Sequence, residues 1–223
     1  MPVPRLTAKE LARHIDHTNL APDVTTVQIV TLCAEARQHG FAAVCVNPAH
    51  VATAAAELRA TSVAVCGVVG FPTGAHETQI KVAEAVSSVR NGAREIDMVA
   101  HAGWLKDGDV RRYVEDIRAV RYAIGDVLIL KVIIEASLLE PAQIERAALL
   151  AVEGGANFVK TSTGVYGRAR LEDVRLLRRI LPPHIKIKAA GGIRTYETAC
   201  AFIAAGAERI GTSCSMSIVR SVS

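Results

Sequence analysis

The chain has 223 residues, half of them hydrophobic and 22% charged, with a formal net charge of +4. That length and apolar content suit one domain with a full core, spanning 1–223, and exclude a disordered tail protein or a collagen-like repeat. No run approaches the ~18 uncharged apolar residues of a membrane span, 4% aromatics offer little stacking surface to a nucleic acid, and the first ten residues lack the apolar stretch of a secretory leader.

Short apolar runs alternate with longer amphipathic segments from end to end. Residues 14–18 read as a first strand, followed by a helix over 24–40 that opens on threonines and stops at Gly40. A strand over 42–46 precedes an alanine-rich helix over 48–60. A strand over 63–69 precedes a helix over 78–91 that ends at Gly92. The run 95–100 is followed by a helix over 110–124, and the run 128–135 by a helix over 140–153 that starts with Glu-Pro. The runs 157–162, 185–190 and 208–212 complete the set, with helices over 171–181 and 195–205 between them. The strands are four to eight residues long and rich in Val, Ile and Phe, as strands buried on both faces should be. Eight such units without a break, and no G-x-G-x-x-G after the first strand, predict an α/β fold, a (β/α)8 TIM barrel, over an open doubly wound sheet.

The five cysteines show no C-x-x-C spacing and read as reduced core thiols of a cytoplasmic protein, with no metal site. Arginine pairs such as Arg111-Arg112 and Arg178-Arg179 sit among acids at helical spacing, as solvated helix faces do. Lysine is distributed differently. Of 26 basic residues only seven are lysine, and Lys131, Lys160, Lys186 and Lys188 fall inside predicted strands. Asp97 stands in a fourth apolar run, Glu95-Ile96-Asp97-Met98-Val99.

A lysine facing a barrel interior is paired or loses its proton. Structural pairing, for example of Lys131 with Glu135 or Glu95, is one outcome. The other follows if Lys160 and Lys188 approach to ~6 Å. At an effective dielectric near 20 their repulsion is about 2.8 kcal/mol, enough to move one from ~10.4 towards 8. A neutral lysine attacks an aldehyde or ketone to form a Schiff base, an electron sink for making or breaking a carbon–carbon bond. Asp97 is then placed to move protons. After the seventh strand, Gly191-Gly192 leads straight into a helix, and Gly211-Thr212-Ser213 closes the eighth. Loops after those two strands recurrently bind phosphate in this architecture.

Ile15-Asp16-His17-Thr18, Val44-Cys45-Val46-Asn47-Pro48, Gly70-Phe71-Pro72-x-Gly74, Lys131-Val132-Ile133-Ile134-Glu135, Lys160-Thr161-Ser162-Thr163-Gly164 and Lys188-Ala189-Ala190-Gly191-Gly192-Ile193-Arg194 occur in this order. With the Asp97 strand between them, they resemble the deoxyribose-phosphate aldolases of the short bacterial type along nearly the whole chain. The resemblance implies a metal-independent, cofactor-free class I aldolase that reversibly cleaves 2-deoxy-D-ribose 5-phosphate to acetaldehyde and D-glyceraldehyde 3-phosphate. It places the Schiff base on Lys160, the perturbing lysine on Lys188 and the proton relay on Asp97. The phosphate falls on Gly164, Gly191, Gly192, Gly211 and Ser213, and Lys131, Glu135 and Asp16 are expected as supporting residues. Partners are then a phosphorylated sugar and an aldehyde, with neither nucleic acid nor membrane, in a homodimer by base rate.

The loop after Gly164 is shorter than in that family, so Arg168 or Arg170 is expected to supply charge there. Lys186, two residues before Lys188, is expected one layer deeper in the barrel, paired with a carboxylate such as Glu95. Two alternatives stay open from sequence: a phosphosugar isomerase or synthase barrel without an imine, and an inactive phosphosugar-binding barrel.

Overall fold

A computed structural model describes residues 5–222. Met1 to Pro4, on which the reading of the leader partly falls, and Ser223 lie outside them. Eight parallel strands form a closed barrel in sequence order, with β1 hydrogen-bonded to β8. They are β1 (Ile15–Asn19), β2 (Ala43–Val46), β3 (Ala64–Val69), β4 (Glu95–Val99), β5 (Ile129–Ile133), β6 (Phe158–Lys160), β7 (Lys186–Ala190) and β8 (Arg209–Thr212). Each run predicted from sequence overlaps one of them, β1 alone passing its predicted end by one residue, and the (β/α)8 expectation holds.

The helices are α1 (Ala8–Ala12), α2 (Thr26–His39), α3 (Val51–Glu57), α4 (Thr78–Arg90), α5 (Ala102–Lys106), α6 (Val110–Ile124), α7 (Pro141–Glu153), α8 (Leu171–Ile180), α9 (Tyr196–Ala204) and α10 (Ser215–Arg220). Thr25 and Gln28 close a capping box on α2, and Gly40 ends it in the left-handed conformation. The expected helix over 48–60 is a 3-10 turn, Pro48–His50, followed by the shorter α3. The helices α1, α5 and α10 were not expected, because five or six residues carry too few turns to show a period. None of the helices among the described residues is long and apolar enough to cross a membrane.

The alternation of side chains decides where the core lies. Ile15, Val44, Val65, Ile96, Met98, Leu130, Val132, Val159, Ile187 and Ile210 join one apolar cluster with the buried residues of the helices. That cluster fills the space between barrel and helix ring. Their strand neighbours Asp16, Asp97, Lys131, Lys160 and Lys188 occupy the other face, and all are buried. The barrel interior is therefore largely ionic, with a small apolar wall of Cys45, Cys66 and Val68 on one side.

Outside the barrel, α4 and α6 are joined by a wholly buried pair, Lys81 Nζ to Asp116 Oδ2 at 2.6 Å. Thr78 Oγ1 also donates to Asp116, at 2.8 Å. Removing one partner of such a pair strands the other charge, at about 3–5 kcal/mol. Lys81→Met is expected to lower the urea unfolding free energy by about 3 kcal/mol or more, with part regained in the Lys81→Met, Asp116→Leu double variant. No loss in the single variant would contradict a stabilising role for the pair.

Candidate active site

Asp97 sits in mid-strand on β4, where register places it beside Lys131 of β5 and Val68 of β3. Its Oδ1 accepts from Lys131 Nζ at 2.8 Å and from the Cys66 thiol at 3.0 Å. Its Oδ2 accepts from both Lys160 Nζ and Lys188 Nζ, each at 2.7 Å. Sharing one oxygen, the two ammonium nitrogens lie no further apart than twice that distance. The approach expected from sequence is thus present, with Asp97 between the two cations.

A second ring of charge underlies the first. Asp16 Oδ2 is 2.5 Å from Lys188 Nζ and 3.7 Å from Lys131 Nζ. Glu95 Oε2 is 2.6 Å from Lys131 Nζ, so Lys131 pairs with Glu95 and not with Glu135. Arg209 opens β8 and bridges the two acids, with Nε 2.5 Å from Asp16 Oδ1 and Nη2 2.9 Å from Glu95 Oε2. In this cluster four cations face three carboxylates, so full ionisation leaves one positive charge in excess.

Burial by itself would raise the pKa of Asp97. The ammonium groups of Lys131, Lys160 and Lys188 outweigh it and hold the carboxyl well below its usual range. Asp16 is likewise lowered against its burial, by Arg209, Lys188 and Lys131. Burial would lower Lys188, yet Asp16 and Asp97 prevail and keep it above the ordinary lysine range. Lys131 behaves as Lys188 does, through Asp97, Cys66, Glu95 and Asp16. Lys131 and Lys188 are thus fixed cations.

Lys160 differs in position. It is the last residue of β6, and it floors a cavity of about 350 Å³ at the C-terminal mouth of the barrel. Lys188, Lys131 and Asp97 have no exposed surface, whereas Lys160 retains 3%. Gly164, Gly191, Gly192, Gly211 and Ser213 all line the same cavity. Gly164, Gly191 and Gly192 have φ of +86°, +106° and +74°, a region that favours glycine. A Cβ on Gly211 would meet Lys188 Cε at 3.0 Å, so that glycine also makes room for the buried lysine. Phe71 and Leu20 pack against the Cys45, Cys66 and Val68 wall and supply an apolar side to the cavity.

Two expectations change, and one residue of the site was missed. Lys186 does not pair inside the barrel. It is the exposed first residue of β7, with Nζ 5.6 Å from the centre of the Phe158 ring. Alternation placed it one layer below Lys188 correctly, but that layer opens at the barrel's lower rim, where a long stem reaches water. The carboxylate Glu95 is taken by Lys131 and Arg209 instead. Arg170 is held by Asp173 at 2.9 and 3.0 Å, so that of the two it is Arg168 that lies near the glycine turn, its Cγ and Cδ over Gly192, while Arg194 lines the cavity itself. Arg209 was missed, although an arginine inside a strand run is the same signal as a strand lysine.

Cys45, Cys66 and Asp97 offer donor atoms within 4.8 Å of one another, which by type could hold a soft metal ion. Lys131 Nζ already donates to Cys66 Sγ at 3.3 Å and to Asp97, so a cation there would have to displace ammonium groups. A larger depression of about 700 Å³ lies at the opposite end of the barrel, among Lys9, Arg13, Arg37 and His39. It abuts the C-terminus of α2, whose negative dipole end the Lys9, Arg13 and Arg37 cations complement and an anion would oppose.

A closed parallel barrel with its polar cavity at the C-terminal strand ends defines a class, the (β/α)8-barrel enzymes. The chain belongs to the DeoC/LacD family of aldolases, whose model matches residues 11–220. It is 51% identical over 210 residues to a deoxyribose-phosphate aldolase of Geobacillus sp. strain WCH70, covering 94% of each chain. Among solved structures it is similar to an aldolase designated QR15, with a TM-score of 0.91 and 39% identity over 95% of each chain. It is also similar to the tetrameric deoxyribose phosphate aldolase of Aeropyrum pernix, with a TM-score of 0.89 and 30% identity, covering 96% of this chain and 92% of that one.

The ionic interior has a pH signature. Asp16 and Asp97 titrate below the 3.8 of an ordinary aspartate. The unfolded chain therefore binds more protons in acid. Their contribution to stability is present above that value and lost as pH falls below it towards the folded pKa values. Urea midpoints are expected to hold from about pH 7 to about 5 and to fall from about pH 4 downward. Asp97→Asn should lower the midpoint at neutral pH and flatten the acid limb; an unchanged acid limb would contradict the assignment.

Proposed function

We propose that this chain reversibly cleaves 2-deoxy-D-ribose 5-phosphate to acetaldehyde and D-glyceraldehyde 3-phosphate through a Schiff base on Lys160, without a metal ion. The observation that carries the reading is the position of Lys160. It alone in the lysine cluster opens on the cavity, whose far wall is the glycine-rich backbone of the loops after β6, β7 and β8.

Lys160 releases a proton to the solvent of the cavity, relieving the single excess positive charge of the cluster; its amine adds to the C1 aldehyde of the open-chain sugar, and a proton returns to the carbinol oxygen so that it leaves as water. Loss of water forms the protonated imine. Asp97, which has no exposed surface, takes the proton of the C3 hydroxyl through an ordered water as the C2–C3 bond breaks, and the bond's electron pair moves into the imine to give an enamine. The glyceraldehyde 3-phosphate departs. Protonation of the enamine at C2 and hydrolysis of the resulting imine release acetaldehyde and free Lys160. So well stabilised as an anion, Asp97 holds a proton only briefly and passes it on through its hydrogen-bonded neighbours. Lys188, a fixed cation on the same oxygen, keeps positive charge beside the reacting nitrogen.

At the far end the glycine amides and Ser213 hold the phosphate, so that the scissile carbons rest over Lys160. Lys131, Asp16, Glu95 and Arg209 fix the cluster from below. The substrates are small molecules, and the reading is of a soluble cytoplasmic enzyme whose barrel works as one domain.

Borohydride reduction in the presence of acetaldehyde is expected to label Lys160, as read by peptide mass spectrometry. Lys160→Met should abolish cleavage, and Lys188→Leu should cut kcat by about a hundredfold and move the basic limb of the pH–rate profile. A label on another lysine, or cleavage by the Lys160→Met variant, would overturn the reading. Turnover of a phosphosugar that is insensitive to borohydride would point to an imine-free isomerase or synthase, and ligand binding without turnover to an inactive barrel.

A further inference from the structure

We propose that Glu135 is a positioning residue that sets the phosphate-binding turn Thr163–Gly164–Val165, by clamping Thr163 from the end of β5. This rests on the proposed function and adds to it the residue on which phosphate recognition depends.

Glu135 follows β5 with φ +50° and ψ +59°, a left-handed conformation that a residue with a Cβ seldom adopts. Only two residues other than glycine do so among the described residues, and the other, Ala60, lies in the loop between α3 and β3. Such a conformation persists only where surrounding contacts over-determine it. Here they are evident. The Ala136 amide donates to Thr161 O at 2.8 Å and the Ile134 amide to Lys160 O at 3.0 Å, so the backbone on both sides of Glu135 is tied to β6. The unusual φ turns the Glu135 side chain towards the same segment.

The carboxylate is buried, with 2% exposed, and its bonds all run to the mouth of the barrel. Oε2 accepts from the Thr163 amide at 3.0 Å and from Thr163 Oγ1 at 2.6 Å. Oε1 accepts from Ser137 Oγ at 3.0 Å. Thr163 Oγ1 in turn accepts from the Val165 amide at 3.1 Å. A continuous chain thus runs from Glu135 through Thr163 to Val165, and Gly164 lies between the two ends of its last link.

Gly164 is the turn residue that faces the seventh strand loop. A Cβ built on it would meet Gly191 Cα at 3.3 Å. Three residues on, Gly167 rests on Ser137, whose Cβ would lie 2.2 Å from a Cβ at that position. The turn is therefore held from below by Glu135 and Ser137, and its other face closes on Gly191. An anionic acceptor makes the stronger hydrogen bonds, which suits a clamp made by a carboxylate. Its charge is spent on donors of this loop and not on the lysine cluster, and the clamp therefore affects where Gly164 sits more than the reactivity of Lys160.

Glu135→Gly and Thr163→Val test this. Glycine is at ease at φ +50°, so Glu135→Gly removes the carboxylate without adding backbone strain, while Thr163→Val cuts the chain at its middle link. Both are expected to lower the ratio of kcat/KM for 2-deoxyribose 5-phosphate over kcat/KM for unphosphorylated 2-deoxyribose by about tenfold, mainly through KM. Both should weaken binding of inorganic phosphate, measured by calorimetry, by a similar factor. Glu135→Gln, which keeps an acceptor oxygen at the same reach, should recover most of the loss. A ratio and a phosphate affinity equal to those of the unaltered chain in both variants, or equal losses on the two sugars, would overturn the proposal. If the unaltered chain cleaves neither sugar, the proposed function falls, and the change in phosphate affinity alone decides the clamp.

Discussion

Three ammonium groups converge on one carboxylate in the buried centre of the barrel, and the arrangement of the site follows from that contact. Asp97 accepts from Lys131, Lys160 and Lys188 through its two oxygens. Burying ions is costly unless each is paired and hydrogen-bonded. The structure meets the cost by layering. Asp16, Glu95 and Arg209 form a lower ring that takes up the remaining bonds of Lys131 and Lys188. Lysine rather than arginine stands at the reactive level because an ammonium can lose its proton and a guanidinium does not. Arginine is used one layer down, where a permanent charge is needed.

This layering separates stability from chemistry. The apolar cluster that holds the fold together lies between strands and helices. The interior is then free to carry charge, and the mouth to carry glycine. Gly211 serves both, since its missing side chain opens the cavity wall and accommodates the Lys188 stem. The glycine turns need outside support because they bring no side chains of their own. Thr161 supplies some of it: its amide donates to Lys188 O, and its Oγ1 both donates to Ala190 O and accepts from the Ala190 amide. Thus the segment that carries Lys160 and the segment that carries Lys188 are joined both by charge and by ordinary hydrogen bonds.

Much of this was legible in the amino-acid order. Eight apolar runs separated by helical periods specify a parallel sheet covered by helices, and eight units without a break and without a G-x-G-x-x-G after the first strand favour its closure into a barrel over an open doubly wound sheet. Lysines in such runs mark an ionic interior, because a charge in an apolar strand has nowhere else to go. The glycines after the seventh and eighth strands mark the mouth. Tertiary structure alone decided how these parts meet. Period-two alternation states which face a side chain occupies but not at which depth, and so Lys186 reaches water at the rim while Lys188 is sealed. Partners across strands depend on register and barrel stagger, which bring Arg209 to Asp16 and Glu95 from distant parts of the chain. The left-handed turn at Glu135 has no signature in a residue type that normally avoids it. Local order specifies elements and faces because those depend on neighbours along the chain. Pairing, depth and strain depend on closure, which exists only once the eighth strand has met the first.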